Sequence, residues 1–177
     1  MADMVLAIDT VKGFFTEGNL ANKENMAIVP NIKDLLERMT ADGWKTYFLA
    51  DNHRPDDLEF QMFPPHCVIE TEEVEVVDEL KQFVSYDNYI PKTRYSGFYG
   101  TNLEEILKRE DPENIIVVGV YTDICVLYTT ADLRNRDYRV TIPRDCVRAL
   151  DAGNTDLWLN YLENLLGVQV VERQEEI

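Results

Sequence analysis

Residues 114–126 read Asn-Ile-Ile-Val-Val-Gly-Val-Tyr-Thr-Asp-Ile-Cys-Val. The first seven positions form an apolar, β-branched run of the kind that fills a strand buried on both faces. After it, Thr122 and Asp123 offer helix caps, and Cys125 falls where a first helical turn should begin. A strand that hands straight over to a helix is the repeating unit of an α/β sheet, so this stretch sets the fold class. It also poses a chemical question. Free cysteine packs as a small buried hydrophobe, whereas a thiol at the positive end of a helix is favoured as thiolate.

The same alternation extends outward in both directions. Residues 5–8 form a short buried strand ending at Asp9. Residues 25–42 show helical spacing at Ile32, Leu35, Leu36 and Met39, with Gly43 as the stop. Residues 45–50 read as a second strand ending at Asp51, and residues 52–70 as a loop carrying Pro55, Pro64 and Pro65. The acidic segment 72–86 is predicted helical around Val76, Val77, Leu80 and Phe83. A strand near Tyr89 and Ile90 leads into Lys92, and Thr101 with Glu104 gives a capping-box spacing for a helix over 101–110. A helix over 123–136, a strand over 138–142, a helix over 155–165 stopped by Gly167 and a strand over 168–171 follow, with a frayed tail over 172–177. The pattern predicts one domain over residues 1–177: a doubly wound, mostly parallel six-stranded sheet with helices on both faces.

Composition narrows the partners. The 177 residues are 45% hydrophobic and 28% charged, as in soluble globular chains. Against 33 acidic residues stand 17 basic ones, a net charge of -16 that repels phosphate backbones and anionic lipid. Nucleic acid and membranes are therefore not expected as partners. The N-terminal residues lack the basic and long apolar segments of a signal peptide, and no apolar run approaches the roughly 20 residues of a membrane helix. Cys67, Cys125 and Cys146 are odd in number and scattered without paired spacing, which fits a reducing, cytoplasmic setting.

In open α/β sheets, ligands bind beyond the carboxyl ends of the strands. Asp9, Asp51, Lys92 and Cys125 all fall there. A charged residue after one strand is ordinary; two carboxylates, a lysine and a thiol on one edge point to a site. Both histidines of the chain lie in residues 51–67, Asp-Asn-His-Arg-Pro-Asp-Asp-Leu-Glu-Phe-Gln-Met-Phe-Pro-Pro-His-Cys. Asp51 and His53 share one side of extended chain, and His66 can fold back across the loop. Two histidines and a carboxylate leave open positions suited to catalytic Zn(II) or Fe(II), with Glu59 placed to complete the shell.

These residues resemble a family. Asp9, Lys92 and Cys125 look like the catalytic triad of the isochorismatase-like cysteine hydrolases. Asp51-x-His53 with residues 63–68 (Phe-Pro-Pro-His-Cys-Val) looks like the metal site that marks its nicotinamidases. The stretches 92–101 and 119–126 are similar to motifs of the same family, and the resemblance runs from residue 5 to about residue 145. It implies hydrolysis of nicotinamide, and also pyrazinamide, to the acid and ammonia in NAD salvage. Cys125 would be the nucleophile with its pKa lowered by the helix and Lys92, Asp9 the proton carrier, and the backbone N–H groups of Tyr121 and Cys125 the oxyanion donors, after a cis Val120–Tyr121 bond. One divalent ion, zinc or else iron or manganese, would bind the ring nitrogen. Phe14, Leu20, Phe63 and Tyr95 would pack around the ring, and the chain would self-associate. Val11 and Gly13 depart from the usual first loop, and Glu70 stands where a glycine is usual. Cys67 reads as a buried structural thiol. The alternatives are a metal-free relative acting on another amide or on isochorismate, and a non-catalytic binding protein on the same fold. No phosphate-binding glycine loop follows the first strand, which disfavours nucleotide binding.

Overall fold

Strands without polar alternation must be covered on both faces, and this requirement organises the molecule. The computed structural model describes residues 3–177. In chain order its elements are β1 (Met4–Ile8), the single helical turn α1 (Lys12–Phe15), α2 (Val29–Ala41), β2 (Lys45–Asp51), β3 (Tyr89–Lys92), α3 (Leu103–Glu110), β4 (Asn114–Val120), α4 (Cys125–Arg134), β5 (Arg139–Pro143), β6 (Val147–Arg148), α5 (Thr155–Leu166) and β7 (Gln169–Val171). The strands are parallel, in the order β3-β2-β1-β4-β5-β7.

Alternate side chains divide between two cores. Val5, Ala7, Phe48, Ile116 and Val118 point to the side of α2, which contributes Ile32, Leu35, Leu36 and Met39. Leu6, Ile8, Leu49, Ile115 and Val117 point to the side of α3, α4 and α5, which contribute Leu107, Leu133 and Leu162. Gly119 is required where β4 passes closest to β1. Its φ is 111°, and a Cβ there would lie 1.9 Å from the Ile8 carbonyl oxygen. The Val120–Tyr121 bond that follows is cis, as expected.

The expected mostly parallel sheet is present, its six-strand order joined by the two-residue β6, which pairs with the end of β4 (Gly119 with Val147, Val120 with Arg148) where β5 has already diverged. Four expectations are corrected. Residues 72–86 are not an α-helix but two 3-10 turns, Glu72–Val74 and Asp78–Phe83. The N-terminal loop takes their backbone groups: Lys12 N–H donates to Glu75 O (2.8 Å) and Val77 N–H to Thr10 O (3.0 Å), so i→i−4 bonds are not available. At α3, Thr101 accepts from Leu103 N–H, but Glu104 pairs with Lys108 (2.9 Å) instead of closing a capping box. At α4 neither Thr122 nor Asp123 caps; Asp123 accepts from Leu150 N–H at 2.9 Å. The tail is anchored, since Gln174 is buried, donates its N–H to Asp145 (3.0 Å) and accepts from Arg38.

Candidate active site

Parallel register delivers the first group of side chains. Asp51 and Lys92 are register partners on β2 and β3, and Asp9 follows β1 in a left-handed conformation, φ 50°. Its N–H donates to Leu49 O and its Oδ1 accepts from Asp51 N–H, both at 2.8 Å. Lys92 is 1% exposed. Its Nζ lies 2.8 Å from Asp9 Oδ2 and 3.5 Å from Cys125 Sγ, and donates to Asp51 Oδ1. Donor atoms of Asp9, Asp51 and Cys125 all lie within 4.8 Å of one another.

The surroundings of the thiol push its protonation in opposing directions. Burial pushes the Cys125 thiol well above its ordinary value and the Asp9 carboxylate pushes it further, outweighing the pull of Lys92. Burial, then Asp51, raises Asp9 to about 6 against the pull of Lys92. For Asp51 burial works upward, but Lys92 and the two histidines hold its carboxyl well below the usual range. Burial also opposes the charge on Lys92, yet Asp51 and Asp9 keep it firmly protonated. Burial and the neighbouring carboxylates thus favour the neutral thiol, and Asp9 is the group placed beside it to receive its proton.

The loop between β2 and β3 adds the second group. Asp51, His53, Glu59 and His66 are buried and offer four donor atoms within 4.8 Å of one another. His53 Nε2 and His66 Nε2 lie 3.5 and 3.8 Å from Asp51 Oδ2, and His66 Nε2 lies 3.8 Å from Glu59 Oε1. The other ring nitrogens face acceptors: His66 Nδ1 the Pro64 carbonyl at 2.9 Å, His53 Nδ1 the Asp57 carboxylate at 3.1 Å. Each Nδ1 therefore carries a hydrogen, and Nε2 is the atom turned inward, which offers a lone pair whenever the ring is neutral. Among the described residues, His53 Nε2 is buried without a hydrogen-bond partner. Burial works to lower both histidines, but Asp51 overrides it and both sit above the ordinary imidazole value. Two inward lone pairs, two carboxylates and a field that attracts positive charge fit a divalent cation. Asp51 belongs to both groups, one oxygen toward Lys92 and the other toward the histidines.

Between the groups lies a cavity of about 150 Å³. Asp9, Cys125, Asp51, Glu59 and His66 reach it, and all four expected ring contacts, Phe14, Leu20, Phe63 and Tyr95, line it. Tyr121 and Cys125, the residues expected to supply oxyanion donors, also line it. Ile124 and Val126 N–H both donate to Tyr121 O, and Thr122 N–H to Arg148 O, whereas among the described residues the N–H groups of Tyr121 and Cys125 have no such partner. Sequence reasoning missed Ile124 and Leu150, which also line the cavity, and Phe60, whose ring centroid is 5.4 Å from that of His53 and 5.5 Å from that of His66. It also missed Asp57. A carboxylate four residues after His53 was the available signal. A larger open groove of about 1,140 Å³ between residues 84–91 and 100–109 holds none of the candidate nucleophile or metal-donor residues. No helix among the described residues is long and apolar enough to cross a membrane.

A buried thiol at a strand-to-helix junction of a parallel sheet here stands next to a carboxylate and a lysine, an arrangement suited to cysteine-based hydrolysis. The chain belongs to the isochorismatase family, whose isochorismatase domain matches residues 3–175. It is 31% identical to Nicotinamidase 1 of Arabidopsis thaliana over 93% of this chain and 75% of that protein. Among solved structures it resembles the nicotinamidase of Bacillus subtilis, with a TM-score of 0.88 and 30% identity over 97% of this chain and 100% of that one. It equally resembles the N-carbamoylsarcosine amidase of Thermoplasma acidophilum, with a TM-score of 0.88 and 32% identity over 100% and 99% of the two chains.

Proposed function

We propose that this chain is a metal-dependent nicotinamidase, hydrolysing nicotinamide, and pyrazinamide by the same contacts, to the acid and ammonia in NAD salvage. One observation carries the reading: a small aromatic-walled cavity has the Cys125 thiol on one side and the inward donors of Asp51, His53, Glu59 and His66 on the other. A flat ring fits between them with its amide over the sulfur. A divalent ion held by those four residues, zinc first with iron and manganese as alternatives, would supply a Lewis-acid contact for the ring nitrogen.

The chain's own residues account for the acyl transfer. Asp9 takes the Cys125 proton as sulfur attacks the amide carbon, and the carbonyl electron pair moves onto oxygen, which Tyr121 and Cys125 N–H groups receive. Collapse breaks the C–N bond while Asp9 returns the proton to nitrogen, releasing ammonia and leaving a thioester. Water then attacks the thioester, Asp9 accepts its proton, and the departing sulfur recovers that proton. Lys92 holds the buried carboxylates in place and offsets their charge throughout.

The likeness to an N-carbamoylsarcosine amidase favours a second reading, a carbamoyl amide substrate. The cavity lining speaks against it, since the aromatic walls of Phe14, Phe63, Tyr95 and Tyr121 suit a flat ring better than a flexible carbamoyl acid. The same lining disfavours isochorismate. The deciding experiment measures ammonia release from nicotinamide and from N-carbamoylsarcosine, with Cys125→Ala and metal-stripped controls. Rapid release from nicotinamide alone, lost in both controls, is expected. Release surviving metal removal would eliminate the metal's role, and release from the carbamoyl substrate alone would replace the substrate.

A further inference from the structure

Asp57 stands outside the four metal donors and touches two of them. Its Oδ2 lies 3.1 Å from His53 Nδ1, and its Oδ1 accepts from Glu59 N–H at 2.9 Å. Arg94 Nη1 donates to both carboxylate oxygens, at 2.9 and 3.2 Å, and lies 4.0 Å from Glu59 Oε2. A carboxylate paired with a guanidinium can only accept, so His53 must present Nδ1–H to it, and in the neutral ring Nε2 is then the atom left to ligate. The same carboxylate starts the 3-10 turn Leu58–Gln61 that carries Glu59. His66 has no such partner; its Nδ1 meets the neutral carbonyl of Pro64.

We infer that Asp57, braced by Arg94, is a positioning residue that fixes the tautomer and aim of His53 and the placement of Glu59, and thereby sets the affinity of the site for a divalent cation. The inference rests on the metal reading above. A purely structural Asp57 would be a turn cap, a role that serine or asparagine fills equally well.

Two variants separate the roles. Asp57→Ser keeps a capping oxygen but does not reach His53. Asp57→Asn has a single acceptor oxygen, which serves either the imidazole or the Glu59 amide, not both. The measurement is the Zn(II) dissociation constant by competition with a chromophoric chelator, alongside the melting temperature of the metal-free proteins. Histidine ring nitrogens are followed by NMR in the metal-free state at alkaline pH. Zinc affinity is expected to weaken about 10- to 100-fold in both variants. Melting of the metal-free proteins stays close to wild type, and the Nδ1–H form of His53 ceases to dominate. Wild-type affinity in both variants would overturn the role of Asp57 while leaving the metal reading intact. Failure of the wild-type protein to bind zinc, manganese or iron would remove the metal reading and this inference with it.

Discussion

The two halves of the site are built by different means. Asp51 and Lys92 are register partners at strand ends, Asp9 directly follows β1 and Cys125 opens α4, so the packed sheet and its two hydrophobic cores fix this half. His53, Glu59 and His66 stand on the loop between β2 and β3, where a bridge from His53 to Val68 and a few polar side-chain contacts hold them. Asp57 holds His53, the Pro64 carbonyl holds His66, Asn19 Nδ2 donates to Pro65 O at 2.7 Å, and Glu73 Oε2 accepts from Cys67 N–H at 2.7 Å. Changes behind the first half should therefore damage fold and chemistry together. Changes behind the second should loosen the cation and leave the fold standing.

The largest effect tests the first half directly. Cys125→Ala and Asp9→Asn should each reduce amide hydrolysis by about 1,000-fold or more, with the protein still folded by circular dichroism. Activity retained in either variant would disprove the acyl-transfer scheme. Lys92→Met should leave two buried carboxylates without their cation and destabilise the protein by about 3–5 kcal/mol in urea unfolding. Gly119→Ala forces a Cβ against the Ile8 carbonyl and should cost about 3 kcal/mol or more. A mild result for both would mean the strand-end half is softer than its burial indicates.

Smaller effects probe the loop half. Chelation should abolish activity reversibly and lower unfolding free energy by about 2.7 kcal/mol relative to protein with zinc at a hundredfold excess over its Kd. A melting curve insensitive to chelator would contradict a cation at His53 and His66. Glu73→Ala should cost about 1 kcal/mol by releasing the Cys67 amide. At the low end, Glu70 sits at φ 66° with an exposed side chain, so Glu70→Gly should stabilise by about 0.5–1 kcal/mol in the same assay.

The same division explains what could be read from sequence. Parallel strands announce themselves as unbroken apolar runs, and the rule that function gathers at their carboxyl ends picked out Asp9, Asp51, Lys92 and Cys125. His53 and His66 were legible because the chain has no other histidines. The supports of the loop were not legible. Asp57 and Arg94 are 37 residues apart and meet only because β3 returns beside the loop. The segment 72–86 spaced its apolar residues like a helix, but its backbone was already committed to residues 10–12. A two-residue strand such as β6 falls below any periodicity. The raised Cys125 thiol depended on distances to carboxylates that sequence does not contain.

The sharing of Asp51 between the two halves has an electrostatic consequence. Three carboxylates, Asp9, Asp51 and Glu59, share this interior with the one ammonium of Lys92, and the two imidazoles beside them can each take up a proton. Without a cation the site gathers protons instead: Asp9 is raised to about 6, burial and then Asp51 raise Glu59, and Asp51 holds both histidines above the ordinary imidazole value. A divalent ion held there would compete with those protons, so its affinity should fall as the pH falls.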